Sequence, residues 1–174
     1  MDVAVALSPT SWAWCNVGPG HDGAHHPYRS SWTWRGKPLP FVPMDDSWTS
    51  PEPDGGPVAI RGWYELSERT FARSLPAAEI PVRTAPAELV LVAGGDDAMW
   101  PSLPCAERLA RRRRSAGAAV RLITHAAAGH RPRLPGEGPA AASPRFEYGG
   151  AAWPHILDAL GGKGSSTRSS RESG

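Results

Sequence analysis

The sequence predicts an α/β domain built on a doubly wound, mostly parallel sheet. Three short apolar runs, at 3–7, 88–93 and 119–124, have the length and composition of buried strands, and turn residues follow each of them. Segments with helically spaced apolar residues separate these runs and follow the last one. Because strands and helices alternate along the chain, the pattern disfavours a helix bundle or a β-sandwich.

The first predicted strand, Val3–Leu7, ends at Ser8-Pro9, and its continuous apolar run indicates burial on both faces. It begins almost at Met1, so we expect a sheet that is incomplete at its N-terminal side. An N-terminal half or a second copy of the chain would complete it. Residues 8–57 then form a predicted loop excursion of about 50 residues, and loops of that length usually serve a function.

Helices complete the predicted domain, which spans residues 1–161. The apolar positions that mark the first and last helices are Trp63, Leu66, Phe71 and Leu75, and Trp153, Ile156, Leu157 and Leu160. A further helix is expected from Ser102, as its N-cap, to an arginine run at 111–114. We expect these arginines to be solvated, because cations are favoured at a helix C-terminus. Residues 162–174 are mainly Gly, Ser and Arg and should be a disordered tail.

Composition excludes several classes of partner. The chain has 19 Lys plus Arg against 17 Asp plus Glu, a net charge of +2 that does not favour nucleic-acid binding. No apolar run approaches the roughly 18 residues of a membrane span. The two cysteines form no CxxC pair, and no secretory leader is evident, so a cytoplasmic location is expected. No metal or cofactor is expected, because a cluster of His21, Asp22, His25 and His26 has no second cluster at metal-site spacing.

A carboxylate and an imidazole follow two neighbouring strands of the predicted sheet. Asp96 and Asp97 come after Gly94-Gly95, and His130 comes after Ala128-Gly129, where the glycine is expected to provide a sharp turn. Reacting groups in open α/β sheets gather at the carboxyl ends of strands. The acid precedes the histidine by 130 − 97 = 33 residues, the chain order of an α/β-hydrolase triad.

Three segments of the sequence carry a more specific resemblance. They are Leu89–Ser102, Ala128–His130 and the segment 148–155, which contains Tyr-Gly-Gly and Trp-Pro-His. They resemble the C-terminal region of the acyl-CoA thioesterase and bile-acid-CoA:amino-acid N-acyltransferase family, and the similarity covers most of residues 1–160. The resemblance implies the C-terminal part of an α/β-hydrolase fold that acts on acyl-CoA or another acyl ester or thioester. It implies that His130 is the triad histidine and Asp97 the acid, with Asp96 as the alternative.

The third member of that triad does not match. The family's nucleophile lies in a Gly-x-Ser/Cys-x-Gly elbow, and this pentapeptide does not occur in the sequence. Cys15, in Trp14-Cys15-Asn16, has no flanking glycines. We therefore expect the chain to be inactive alone, as a truncated or split hydrolase. The alternatives are a non-catalytic α/β domain, which binds a ligand or is completed by a partner, and a hydrolase of another layout that uses Cys15.

Two further features allow more than one interpretation. Five tryptophans lie in the excursion and either line an acyl pocket or pack the loop: Trp12, Trp14, Trp32, Trp34 and Trp48. His125, at the predicted end of the third strand, is expected to be structural.

Overall fold

A three-stranded parallel sheet lies at the centre of the computed structural model, which describes residues 2–18, 28–51, 59–131 and 148–161. In chain order the elements are β1 (Val3–Leu7), β2 (Cys15–Asn16), β3 (Arg29–Ser30), β4 (Thr33–Trp34), β5 (Lys37–Pro38), α1 (Arg61–Thr70), β6 (Glu88–Gly94), α2 (Ser102–Ser115), β7 (Val120–His125) and α3 (Tyr148–Leu160). The predicted tail at 162–174 and the His-Asp cluster at 21–26 lie outside the described residues.

The sheet has the order β1-β6-β7, with β6 in the middle. Leu7 lies opposite Val92 in the β1–β6 pair, and Gly94 lies opposite His125 in the β6–β7 pair. All three strands run in the same direction, so their carboxyl ends meet at one edge of the sheet. The prediction of a parallel α/β sheet is confirmed at this level.

Helices cover both faces of the sheet, and β6 divides its side chains between them. Successive side chains of a strand point to opposite faces. Leu89, Leu91 and Ala93 pack in one core with Ala106, Leu109 and Ala110 of α2. Val90 and Val92 pack in a second core with Ala152, Ile156 and Ala159 of α3. The continuous apolar run of β6 is therefore the consequence of a strand buried on two sides.

The predicted burial of the first strand on both faces is wrong. Leu7 is 41% exposed, and no residue of β1 is fully buried. Among the described residues β1 pairs only with β6 and is an edge strand. Its apolar side chains therefore pack only partly against the two cores, which are centred on β6.

The arginine run of α2 also differs from the prediction. Arg112 and Arg113 are buried, whereas Arg111 and Arg114 are exposed. The Arg113 guanidinium donates hydrogen bonds to the carbonyl oxygens of the segment that leads into β6, namely those of Val82, Ala85 and Ala87, at 2.6 to 2.8 Å. Arg112 pairs with Glu79 at 3.1 Å. The arginine run is solvated only in part, because Arg112 and Arg113 form hydrogen bonds and an ion pair with backbone carbonyls and a carboxylate inside the domain.

Two other helix boundaries depart slightly from the sequence pattern. Pro101 is the N-cap of α2, and Ser102 is its first residue, whose hydroxyl donates to the Gly94 carbonyl at 3.3 Å. The helix predicted around Trp63 ends at Thr70, and a single 3₁₀ turn, Ala72–Ser74, follows it.

The excursion contains short hairpins rather than extended strands. β2 pairs with β3 and β4 pairs with β5, each over two residues. Trp12, Val42 and Ala78 form a small core beneath the excursion. The described residues contain no helix long and apolar enough to cross a membrane.

Candidate active site

Asp97 and His130 meet at the carboxyl edge of the sheet, just beyond β6 and β7. His130 Nδ1 lies 3.0 Å from Asp97 Oδ2 and 3.2 Å from Asp97 Oδ1. The structure thus brings together the two residues that the sequence singled out.

Two glycines let the loop after β7 approach β6 closely enough for this contact. A Cβ on Gly94 would lie 2.2 Å from the Ala128 carbonyl oxygen, and one on Gly95 would lie 2.5 Å from that of Ala126. The Gly95 N–H donates to the His125 carbonyl at 2.9 Å. Any side chain at Gly94 or Gly95 would push the two loops apart.

Gly129 is not among the described glycines with left-handed backbone, which are Gly36 and Gly117. Its expected role in turning the loop stays a prediction. The close approach at Gly94 and Gly95 is what presents the histidine.

Asp97 is buried and held by several donors. Its side chain is 0% exposed, and its Oδ1 accepts the backbone N–H of Met99 at 2.9 Å and of Trp100 at 3.3 Å. Burial alone raises the pKa of this carboxyl. The His130 and Ser102 side chains and the Met99 amide outweigh that effect and hold the pKa below its usual range. The carboxylate is therefore ionised at neutral pH.

Asp96 occupies a different environment from Asp97. Its side chain is exposed, and its N–H donates to the Ala128 carbonyl at 2.9 Å. The geometry selects Asp97 as the histidine's partner, because Asp97 alone of the two carboxylates is hydrogen-bonded to His130 in the described structure.

The His130 ring presents one nitrogen to Asp97 and the other away from it. An ionised carboxylate only accepts hydrogen bonds, so the proton of a neutral His130 ring lies on Nδ1. Nε2, on the far side of the ring, then carries a lone pair. The side chain is 31% exposed. This arrangement suits a group that takes up and returns a proton.

Two residues at this edge received no role from the sequence. Trp100 packs edge-to-face against the His130 ring, with centroids 4.3 Å apart, and its Nε1–H donates to the Ser8 carbonyl at 3.0 Å. The Ser8 hydroxyl donates to the His130 carbonyl. The sequence signal for Ser8 was its position directly after a predicted strand. The signal for Trp100 was its position three residues after Asp97.

The other candidate residues do not join the pair. Cys15 is buried, and burial raises the pKa of its thiol, which is the opposite of what an activated nucleophile requires. His125 is exposed at the end of β7, where its Nδ1 accepts the Ala127 N–H at 3.2 Å. The described contacts of Cys15 do not include Asp97 or His130.

The tryptophans of the excursion divide into two groups. Trp12, Trp14 and Trp48 pack against other side chains, as in the stacking of Trp48 on Trp63 at 5.9 Å. Trp32 and Trp34 are each 65% exposed. These two line a cavity of about 550 Å³ with an apolar wall that includes Leu39, Pro40, Ala77, Ala78, Ile80 and Pro81. Loop packing accounts for the first group but not for the second.

No cluster of His, Cys, Asp and Glu suited to a metal ion occurs within the described part of the chain.

At the edge of the sheet a buried carboxylate is hydrogen-bonded to one ring nitrogen of an imidazole, and the other ring nitrogen faces away from that carboxylate. Comparison of the chain with protein-family models and with curated proteins finds no match.

Proposed function

We propose that Asp97 and His130 are the acid and the base of an acyl-transfer site of the α/β-hydrolase type, which acts on an acyl-CoA or another acyl ester or thioester. One observation carries the proposal. The Nδ1 atom of His130 lies 3.0 Å from a fully buried carboxylate at the carboxyl ends of two adjacent parallel strands. The chain order of acid and histidine and the resemblance of the surrounding segments support the same class.

The proposed chemistry follows from the two ring nitrogens of His130. A nucleophile's oxygen or sulfur bonds to the acyl carbonyl carbon while Nε2 takes its proton. The bond from that carbon to the leaving thiolate or alkoxide then breaks, and the leaving group receives the proton from Nε2. Water or an amine resolves the acyl intermediate by the same proton path. Asp97 holds the ring in the required tautomer and stabilises the imidazolium.

The nucleophile in this proposal is external to the described residues. The sequence has no Gly-x-Ser/Cys-x-Gly elbow, and Cys15 is buried with a raised pKa. We propose that an N-terminal half or a partner chain supplies the elbow by pairing with the open edge of β1. That edge has no partner among the described strands. An elbow strand added there would place the nucleophile on the same carboxyl edge of the sheet as the pair.

A second candidate function is a ligand-binding domain without catalysis. The cavity beside Trp32 and Trp34 favours it, because exposed aromatic residues around an apolar cavity are typical of a binding site. Neither Asp97 nor His130 lines this cavity.

Hydrolysis of p-nitrophenyl acetate by the full chain tests the first candidate. General acid–base catalysis contributes about 10²- to 10⁴-fold to a rate. The chain has no elbow, so we expect no turnover through an acyl-enzyme from the chain alone. The pair can still activate water as a general base, for which we expect about 10²-fold acceleration over buffer. His130→Ala should abolish this acceleration, and Asp97→Asn should reduce it. His125→Ala, an exposed histidine five residues earlier, is the matched control and should keep the full rate.

Binding of palmitoyl-CoA, measured by equilibrium dialysis, distinguishes the two candidate functions when it is compared with ester hydrolysis. Binding without any His130-dependent ester hydrolysis would replace the catalytic proposal with the binding domain. Equal rates in the His130→Ala and His125→Ala variants would also overturn the catalytic proposal.

A further inference from the structure

Ser8 has a strained backbone at the end of β1. Its φ is +44°, in the left-handed region, which is unfavourable for a residue with a Cβ. Ser8 is 4% exposed, and its N–H donates to the Val92 carbonyl at 2.8 Å. Such strain persists only where the surroundings hold the residue in place.

Hydrogen bonds tie Ser8 to both loops that carry the Asp97–His130 pair. Its hydroxyl donates to the His130 carbonyl, and its own carbonyl accepts the Trp100 Nε1–H at 3.0 Å. The three residues follow three different strands. Ser8 therefore links the carboxyl ends of β1, β6 and β7.

Trp100 completes a closed ring of contacts around the pair. Its ring packs edge-to-face on the His130 imidazole at 84°, and its backbone N–H donates to Asp97 Oδ1 at 3.3 Å. On its other side, Tyr64 packs against Trp100 with centroids 5.9 Å apart. Trp100 thus contacts Ser8, Asp97 and His130 at once.

We propose that Ser8 and Trp100 are positioning residues that hold the His130 ring with Nδ1 against Asp97. We call the ring of contacts formed by Ser8, Trp100, Asp97 and His130 the histidine clamp. The hydroxyl of Ser8 fixes the backbone of His130, and the indole of Trp100 restricts the rotation of its imidazole. The catalytic consequence rests on the proposed function, whereas the restraint on the ring is independent of it.

The test is NMR of the His130 imidazole in the full chain, with ¹⁵N-labelled histidine. In the unaltered protein we expect one tautomer, protonated on Nδ1, and slow exchange of that proton with water. Ser8→Ala removes the hydroxyl. Trp100→Phe keeps an aromatic ring on the imidazole but removes the indole N–H. Each variant should speed the Nδ1–H exchange about tenfold, the factor that corresponds to one net hydrogen bond.

Two matched variants show whether the loss of any buried serine hydroxyl or half-buried indole would have the same effect. The buried Ser67 hydroxyl donates to the Trp63 carbonyl at 2.7 Å, and the Trp63 Nε1–H donates to the Asp45 carbonyl at 2.7 Å. These two hydrogen bonds have the same donor and acceptor types as those of the histidine clamp, but neither involves Asp97 or His130. Ser67→Ala and Trp63→Phe should leave the His130 signals unchanged.

The outcomes separate this proposal from the proposed function. Unchanged exchange in folded Ser8→Ala and Trp100→Phe, or equal acceleration in the two matched variants, would overturn the clamp. Ser8→Gly also removes the hydroxyl but relieves the φ strain, so it replaces Ser8→Ala if that variant does not fold. If exchange responds as expected but no His130-dependent ester hydrolysis occurs, the clamp stands and the proposed function fails.

Discussion

The carboxyl end of β6 with its following loop and the β4–β5 hairpin each combine a tryptophan with a glycine, yet the two regions differ in what surrounds those residues. Trp100 packs between Tyr64 and His130, whereas Trp34 is 65% exposed. A Cβ on Gly94 would collide with backbone, whereas one on Gly36 would meet nothing within 4 Å. The comparison indicates that the same residue types support a rigid site in one region and an open surface in the other.

Alanine at the two glycines should separate these regions most strongly. We expect Gly94→Ala to lower the free energy of unfolding by about 3 kcal/mol or more, because backbone has to move to admit the methyl group. Gly36→Ala should cost only about 1 kcal/mol, since its φ of +75° is the only obstacle. Urea denaturation at neutral pH measures both values. Equal losses would show that the close approach at Gly94 is not a constraint on the fold.

Tryptophan truncation is expected to have the next largest effect. Trp100→Ala removes the contacts with Tyr64 and His130 and the hydrogen bond to Ser8, so we expect a loss of about 2–3 kcal/mol. Trp34→Ala should change the free energy of unfolding by no more than about 0.5 kcal/mol. The same denaturation experiment compares them. A large loss for Trp34→Ala would mean that the hairpin tryptophan contributes to the core.

Acid titration of stability should give the smallest difference. The folded-state pKa of Asp97 lies below the unfolded value of about 3.9. The carboxylate therefore stabilises the folded state above that pH, and its contribution is lost as the pH falls through the folded-state pKa. From about pH 5 downward, stability should fall more steeply in the unaltered chain than in Asp97→Asn.

A carboxyl in the excursion serves as the control for this titration. Hydrogen bonds from Ser47 and Thr70 also lower the pKa of Asp45, but water screens that solvent-facing group. Asp45→Asn should alter the pH dependence less than Asp97→Asn does. An equal change would contradict the distinction between a buried, partnered carboxylate and a surface one.

The elements of the sheet were largely predictable from the chain itself. The apolar run at 88–93 corresponds to β6, Glu88–Gly94, and the run at 119–124 corresponds to β7, Val120–His125. β6 is covered on both faces and is therefore apolar after Glu88, so its position can be recognised from the local sequence. β7 is only partly buried and includes Arg121. The order of acid and histidine at neighbouring strand ends was visible for the same reason.

Other features depended on contacts between distant segments. Arg112 and Arg113 resemble their exposed neighbours in sequence, but they are buried because carbonyl and carboxylate groups of residues 11–87 face them. Helical periodicity in a run of identical residues contains no information about such partners. The partial exposure of β1 likewise became evident only from the tertiary structure.

The sequence by itself determined the alternation of strands and helices and the placement of Asp97 and His130 at strand ends, because hydrophobic period and turn residues are local properties. The sequence favoured Asp97 but left Asp96 open, and the tertiary structure decided between them. Tertiary structure alone decided that Ser8 and Trp100 surround the pair. The physical reason is that hydrogen bonds between residues 33 to 122 positions apart depend on strand register and loop approach, which no single segment specifies.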